Sequence, residues 1–186
     1  MTPEGFRYRP ELVTPDEERS LLREVEGLPF RAFEFHGWTG KRRTVSFGWH
    51  YDFGERSLEP AAPLPAFLLP VRAAAAAFAD LAPGDLVHAL VTEYGPGAAI
   101  GWHRDKAVFA DVIGVSLLSP CRFRFRRKAD ARWERVSLTL EPRSAYLLHG
   151  PSRTEWEHSI PAVDATRYSI TFRSLERAEG PARRRS

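Results

Sequence analysis

From Leu86 onward the chain reads as short strands and little else: residues 87–94, 112–118, 122–128, 133–140, 145–148 and 167–174. Two of these alternate cleanly. Phe123 and Phe125 interleave with Arg122, Arg124 and Arg126, and Tyr168, Ile170 and Phe172 interleave with Arg167, Ser169, Thr171 and Arg173. Because successive side chains in a strand point to opposite faces, each has one face to pack and one left for water or a ligand. The first half is helical. Thr14-Pro15-Asp16-Glu17 is a helix start, with Thr14 as cap, Pro15 in the first turn and Glu17 completing a capping box. Leu21, Leu22 and Val25 then face the core, and Gly27 ends the helix. A second helix is expected over 66–80, driven by the alanines at 73–77, closed by Pro83-Gly84 and kinked or split at Pro70. Helices followed by strands indicate an α+β fold, and a double-stranded β-helix, or jelly roll, fits the strand count, with the helices packed outside.

The 186 residues, 43% hydrophobic, suffice for one core. One domain is expected over 1–175, with helices and a substrate lid at about 12–85 and the jelly-roll core at about 86–175, followed by a basic, flexible tail at 176–186. No repeat or linker interrupts it. Cys121 is the only cysteine, so no intrachain disulfide can form, and the first residues carry no apolar leader; both point to the cytoplasm. The apolar run 61–79 is broken by Pro63, Pro65, Pro70 and Arg72, which argues against a membrane span. The arginine ridge at 122, 124 and 126 reads either as a basic surface or as a solvated strand edge protected from pairing.

In an extended His103-Arg104-Asp105, the imidazole and carboxylate share one face and Arg104 takes the other. Two imidazoles and a carboxylate, leaving three coordination positions open, suit non-haem Fe(II). His158, in a short segment able to cross beside the first strand, is the natural third ligand; His149 competes, but Gly150-Pro151 follows it as a turn. His36, His50 and His88 have no carboxylate at ligand spacing and read as surface or hydrogen-bonded core residues. Arg167 and Arg173 lie on one strand face with backbones roughly 20 Å apart, and inward-leaning guanidinium groups would leave a gap for a small extended diacid such as 2-oxoglutarate. Taken singly, the His-x-Asp motif also reads as a solvated loop, and the arginine pair as a water-facing strand.

The set resembles the AlkB family of Fe(II)/2-oxoglutarate dioxygenases over roughly residues 38–175. The matching pieces are Glu93-Tyr94-Gly95-Pro96-Gly97 leading into His103-Arg104-Asp105, Ser152-Arg153 ahead of His158-Ser159-Ile160, and the strand from Arg167 to Arg173. The resemblance implies that His103, Asp105 and His158 hold Fe(II), that Arg167 and Tyr94 meet the distal carboxylate of 2-oxoglutarate, and that Arg173 meets the carboxylate beside the keto group. Thr92 and Ser169 stand where the family often has Asn, as shorter donors to the cosubstrate, and Ala107 stands where some relatives place an acidic residue. With O2 as second cosubstrate, the implied reaction is oxidative dealkylation of N-alkylated bases of the 1-methyladenine and 3-methylcytosine type, in DNA or RNA, by a monomer. The resemblance also implies a lid beginning at 43–48, with Arg43 and Arg104 as substrate contacts and Trp38, Tyr51 or Phe53 stacking on the flipped base. Alternatives are a dioxygenase of the same fold acting on a protein or small molecule, and a non-enzymatic nucleic-acid-binding module.

Overall fold

The computed structural model of the chain describes residues 2–35, 38–52, 57–130 and 132–176, with backbone alone at 33–35, 38–40, 50–52 and 57–58. Phe53, His36 and the tail from 177 lie outside the described residues, and so do the side chains of Trp38, His50 and Tyr51.

The order of elements is β1 (Phe6–Arg9), α1 (Pro15–Glu26), β2 (Arg31–Phe35), β3 (Trp38–Phe47), β4 (Trp49–Asp52), β5 (Ser57–Pro60), α2 (Leu69–Phe78), β6 (Leu86–Tyr94), β7 (Ile100–His103), β8 (Phe109–Leu117), β9 (Cys121–Ala129), β10 (Arg132–Leu140), β11 (Ala145–Leu148), α3 (Pro151–Thr154), β12 (Glu157–Ile160) and β13 (Arg167–Leu175). The capping box forms as read: Thr14 Oγ1 accepts from the Glu17 amide at 3.2 Å, and Glu17 accepts from the Thr14 amide at 2.7 Å. Pro70 splits the second helical stretch without kinking it. Residues 66–68 make one 3-10 turn, and α2 begins at Leu69 with Pro70 in its first turn, where the missing amide proton costs no hydrogen bond.

Seven strands form one sheet in the order β1-β11-β8-β13-β6-β3-β2, and four form a second in the order β10-β9-β12-β7. The seven-stranded sheet is apolar on its outward face and mixed on its inward one. Outward, Val91, Val115, Ile170 and Phe172 pack against Leu21 and Val25 of α1 and Val71, Ala75 and Ala76 of α2; the two alanines let α2 approach the sheet closely. Inward, Tyr94, Val112 and Leu148 meet Phe123, Phe125, Leu140 and Ile160 of the smaller sheet. Two sheets facing one another around this second core make the double-stranded β-helix. No helix among the described residues is long and apolar enough to cross a membrane.

Two sequence readings change here. The strand carrying His103 ends at that residue, so Asp105 projects from the loop after β7 and not from an extended strand. β9 lies between β10 and β12, so its arginines do not guard a sheet edge.

Gly114 sits under Tyr146: a Cβ at position 114 would fall 2.3 Å from the tyrosine ring. Gly114→Ala is therefore expected to destabilise the fold by about 1–3 kcal/mol through overpacking, measured by urea unfolding; an unchanged midpoint would contradict the ring's placement.

Candidate metal and cosubstrate site

β7 and β12 pair antiparallel with His103 directly opposite His158, and the two rings lie 4.2 Å apart between centroids. The loop after β7 brings in Asp105, so that one donor atom from each of the three residues lies within 4.8 Å of the others. His103 Nδ1 donates to the Gly101 carbonyl at 2.8 Å, since a carbonyl can only accept. That bond fixes the tautomer and leaves Nε2 as a free lone pair. Asp105 Oδ2 lies 3.5 Å from His158 Nε2, and both side chains are more than nine-tenths buried.

The loop is held from behind by Arg153. This buried side chain donates to the Phe109 carbonyl through Nε at 2.9 Å and again through Nη2, to the Lys106 carbonyl at 2.8 Å and to the Asp105 carbonyl at 3.5 Å. A guanidinium spread over three carbonyls turns an otherwise mobile connection into a fixed mount for the carboxylate.

The surroundings favour the cation-binding form of all three groups. Burial pushes the His158 imidazole down to about 3, the neighbouring His103 adding to the effect and Asp105 opposing it. Burial also lowers His103, with Asp105 acting against it. For Asp105, burial favours the neutral acid, but the Arg173 guanidinium, then His158 and His103, outweigh it and hold the carboxyl well below the usual range. Two neutral imidazoles and one ionised carboxylate are the donor set a divalent transition metal takes.

β13 pairs with β6 on one side and β8 on the other, and this register sets the second half of the site. Arg173 grips Asp105 Oδ1 with Nε at 2.8 Å and Nη2 at 2.7 Å, and its Nη1 lies 3.3 Å from His88 Nδ1. Six residues away on the same face, Arg167 is 1% exposed and lies over the Tyr94 ring at 4.9 Å. Its Nη2 donates to Ser116 Oγ at 2.8 Å, whereas its Nε and Nη1 are buried with no protein partner. Two unsatisfied buried donors on one permanent cation are costly, and a bound anion would satisfy both. Ser169 lies opposite Thr92 on β6 and Ser116 on β8, so small hydroxyls line the space beside Arg167. The chain's own groups thus fit both a divalent metal and a dicarboxylate.

The predicted set divides on inspection. His103, Asp105, His158, Tyr94, Thr92, Arg167, Ser169 and Arg173 come together. Arg104 is exposed beside them and donates to the Thr154 carbonyl at 3.1 Å. Arg43 does not face the site: it pairs bidentately with Glu93 at 2.7 and 2.8 Å and lies over Phe30 at 5.6 Å, on the helix-facing side of the sheet. Its neighbour Arg42, opposite Tyr94, takes the inner face. Burial lowers the Arg42 guanidinium's pKa, and the Tyr94 hydroxyl hydrogen-bonded to it offsets part of that. Arg42, Ser116 and Tyr146 carry no signal in the sequence that marks them for the site; His88 is the hydrogen-bonded core histidine expected, and Arg153, expected only as part of a motif, acquires a role as the mount of the Asp105 loop. Tyr146 lies under the Phe123 ring at 4.8 Å, and burial followed by the charge of Asp105 raises its hydroxyl pKa.

Arg153→Ala should leave the sheets folded and weaken Mn(II) binding about 10- to 100-fold, as loss of a metal ligand's support does, measured by calorimetric titration. A folded His158 held neutral down to about 3 binds no proton where an unfolded histidine, with a pKa of about 6.5, does. Stability of the metal-free protein should therefore fall as pH drops from about 6.5 towards 3, and His158→Gln should flatten that dependence in urea midpoints read at several pH values.

A model of the 2OG-Fe(II) oxygenase superfamily matches residues 5–173. Among curated proteins, the Alkylated DNA repair protein ALKBH8 homolog of Arabidopsis thaliana is 29% identical over 93% of the chain. The chain spans only 56% of that relative's length. The mitochondrial alpha-ketoglutarate-dependent dioxygenase alkB homolog 7 of Bos taurus is 31% identical, covering 93% of the chain and 80% of the relative. Among solved structures, OsALKBH1 superposes with a TM-score of 0.74 at 17% identity over 94% of this chain and 98% of that one. A Pseudomonas putida prolyl-4-hydroxylase reaches 0.61 at 18% identity, covering 94% of each chain; at these identities both show the shared fold. The chain belongs to the 2OG-Fe(II) oxygenase superfamily and is an AlkB-like, Fe(II)- and 2-oxoglutarate-dependent dioxygenase.

Proposed function

We propose that this dioxygenase removes alkyl groups from the ring nitrogens of nucleobases, of the 1-methyladenine and 3-methylcytosine type, in DNA or RNA. The observation carrying the cosubstrate assignment is the pair of unpaired, buried N–H groups on Arg167, on the same strand face as the Arg173 that grips Asp105. The relative named as an alkylated DNA repair protein supports the substrate class.

In this reading His103, Asp105 and His158 hold the iron. Arg167, Tyr94 and Ser116 take the distal carboxylate of 2-oxoglutarate, Thr92 and Ser169 line its path, and Arg173 takes the carboxylate beside the keto group. Bound there, Fe(II) with 2-oxoglutarate and O2 supplies the oxidation that hydroxylates a carbon attached to a base nitrogen, releasing succinate and CO2. The chain's residues do the rest. Arg173 keeps Asp105 charged and aimed, the Gly101 carbonyl fixes the His103 tautomer, and Phe123, 5.4 Å from the His158 ring and backed by Tyr146, packs against that imidazole. The hydroxylated carbon then leaves as an aldehyde: its bond to the ring nitrogen breaks, a carbonyl forms, and the hydroxyl proton passes to the base. A lesion that blocks pairing is cheaper to extrude from a helix, which gives selectivity for damage.

Arg43 speaks for the other reading, a dioxygenase of proteins or small molecules, because its commitment to Glu93 removes one expected cation from the substrate side. One assay separates them. Protein, Fe(II), 2-oxoglutarate, ascorbate and an oligonucleotide carrying 1-methyladenine or 3-methylcytosine are incubated in air, and the methyl group is followed by mass spectrometry beside a His103→Ala control. Demethylation by the native chain and none by the variant is the expected result; succinate without demethylation would move the substrate to another class.

A further inference from the structure

The outer face of the four-stranded sheet takes no part in the site described above. Strand register places Arg122 opposite Thr139, Arg124 opposite Ser137 and Ser159, Arg126 opposite Arg135 and Glu157, and Lys128 opposite Trp133, all on the face away from the barrel interior. Trp102, next to His103 on β7, points the same way. Helices α1 and α2 pack on the other sheet, while Arg122, Lys128, Trp133, Arg135, Ser137 and Thr139 are exposed.

The face has an internal order. The Arg126 guanidinium lies between two indoles, 4.6 Å from the Trp102 ring and 4.5 Å from the Trp133 ring, and Arg124 stacks on Trp102 at 5.0 Å. Glu157 fixes Arg126 at 2.5 Å, and Ser159 Oγ holds Arg124 at 3.1 Å. Alternating cation and ring, pinned from below, hold Trp133 at 43% exposure with little rotamer freedom left to lose. Among the described residues, five cations (Arg122, Arg124, Arg126, Lys128 and Arg135) against the single carboxylate of Glu157 line this face. The arginines do not serve edge protection, because β9 is an interior strand. Arg126 covers part of the Trp133 ring, and at 43% exposure the remainder is open to solvent, where a base can stack.

We infer that this outer face binds single-stranded nucleic acid, with Arg122, Lys128 and Arg135 on its phosphates and Trp133 as a stacking platform for a base. Sequence-independent strand binding combines these two elements, a basic track and an exposed ring. The inference deepens the substrate reading above, on which it rests for the kind of partner, and it gives the enzyme a hold on the strand that is independent of the damaged base.

The test uses the full chain without iron or 2-oxoglutarate and a fluorescein-labelled, undamaged thymidine 15-mer, with anisotropy read across a series of NaCl concentrations. The native chain should bind with a salt-dependent constant. Arg122→Glu/Arg135→Glu should weaken binding at least tenfold and reduce the slope of log K on log salt by roughly 1–1.5. Arg122→Lys/Arg135→Lys should retain binding, and Trp133→Ala should weaken it about five- to a hundredfold at an unchanged slope. All variants should keep the native rate of succinate formation without substrate, which reports an intact fold and site. No binding by the native chain, no effect of the charge reversal or of Trp133→Ala, or tighter binding of a duplex would each overturn the inference. Because iron, cosubstrate and lesion are absent, failure here leaves the dealkylation reading standing, and failed dealkylation with binding intact leaves this surface standing.

Discussion

A buried carboxylate kept charged is the constraint on which the site depends. Asp105 is buried beside two imidazoles, where desolvation pushes its pKa up, and the contact from Arg173 to Oδ1, helped by His158 and His103, outweighs it and keeps the carboxylate an anion. That contact leaves Oδ2 turned to His158 and so to the metal position. It also fixes the rest. Arg173 reaches Asp105 only if β13 lies in its observed register between β6 and β8, and the same register sends Arg167 to the far end of the cavity against Tyr94 and Ser116. A one-residue slip would turn both arginines to the helices and put Tyr168, Ile170 and Phe172 in the pocket.

The packing of the large sheet guards against that slip. Its outward face is apolar from Phe47 through Val91 and Ile170 to Val115, and α1 and α2 cover it. Burying an aliphatic or aromatic side chain of this kind is worth about 1.5–3 kcal/mol, so several together hold the register far more firmly than the polar inner face could. The helices, remote from the chemistry, therefore position it by fixing which face of β13 looks inward.

Much of this was legible in the chain. The alternation from Arg167 to Arg173 sorted the polar from the apolar face correctly, the capping box at Thr14 formed as read, and His103 and His158 were brought opposite one another. The misses share a cause, that phase and neighbours are settled by distant pairing. In Lys41-Arg42-Arg43 a single residue of phase decides which guanidinium enters the cavity, and nothing local distinguishes them; pairing with Tyr94 on β6 places Arg42 inside and Arg43 with Glu93. Whether β9 is an edge or an interior strand depends on β12, more than thirty residues later in sequence. Arg153 looked like part of a motif without a mechanism until its three carbonyl partners on the 105–109 loop appeared.

In the proposed function, Arg167's unpaired N–H groups receive the distal carboxylate of the cosubstrate. The most direct measurement is an anaerobic calorimetric titration of 2-oxoglutarate into Mn(II)-loaded protein, native and Arg167→Ala. Hydrogen bonds to a charged group contribute about 1.5–3 kcal/mol each, so the native chain should bind one equivalent and the variant should show a dissociation constant about 10- to 100-fold higher, with Mn(II) affinity unchanged. Equal 2-oxoglutarate affinity in the two proteins would contradict it.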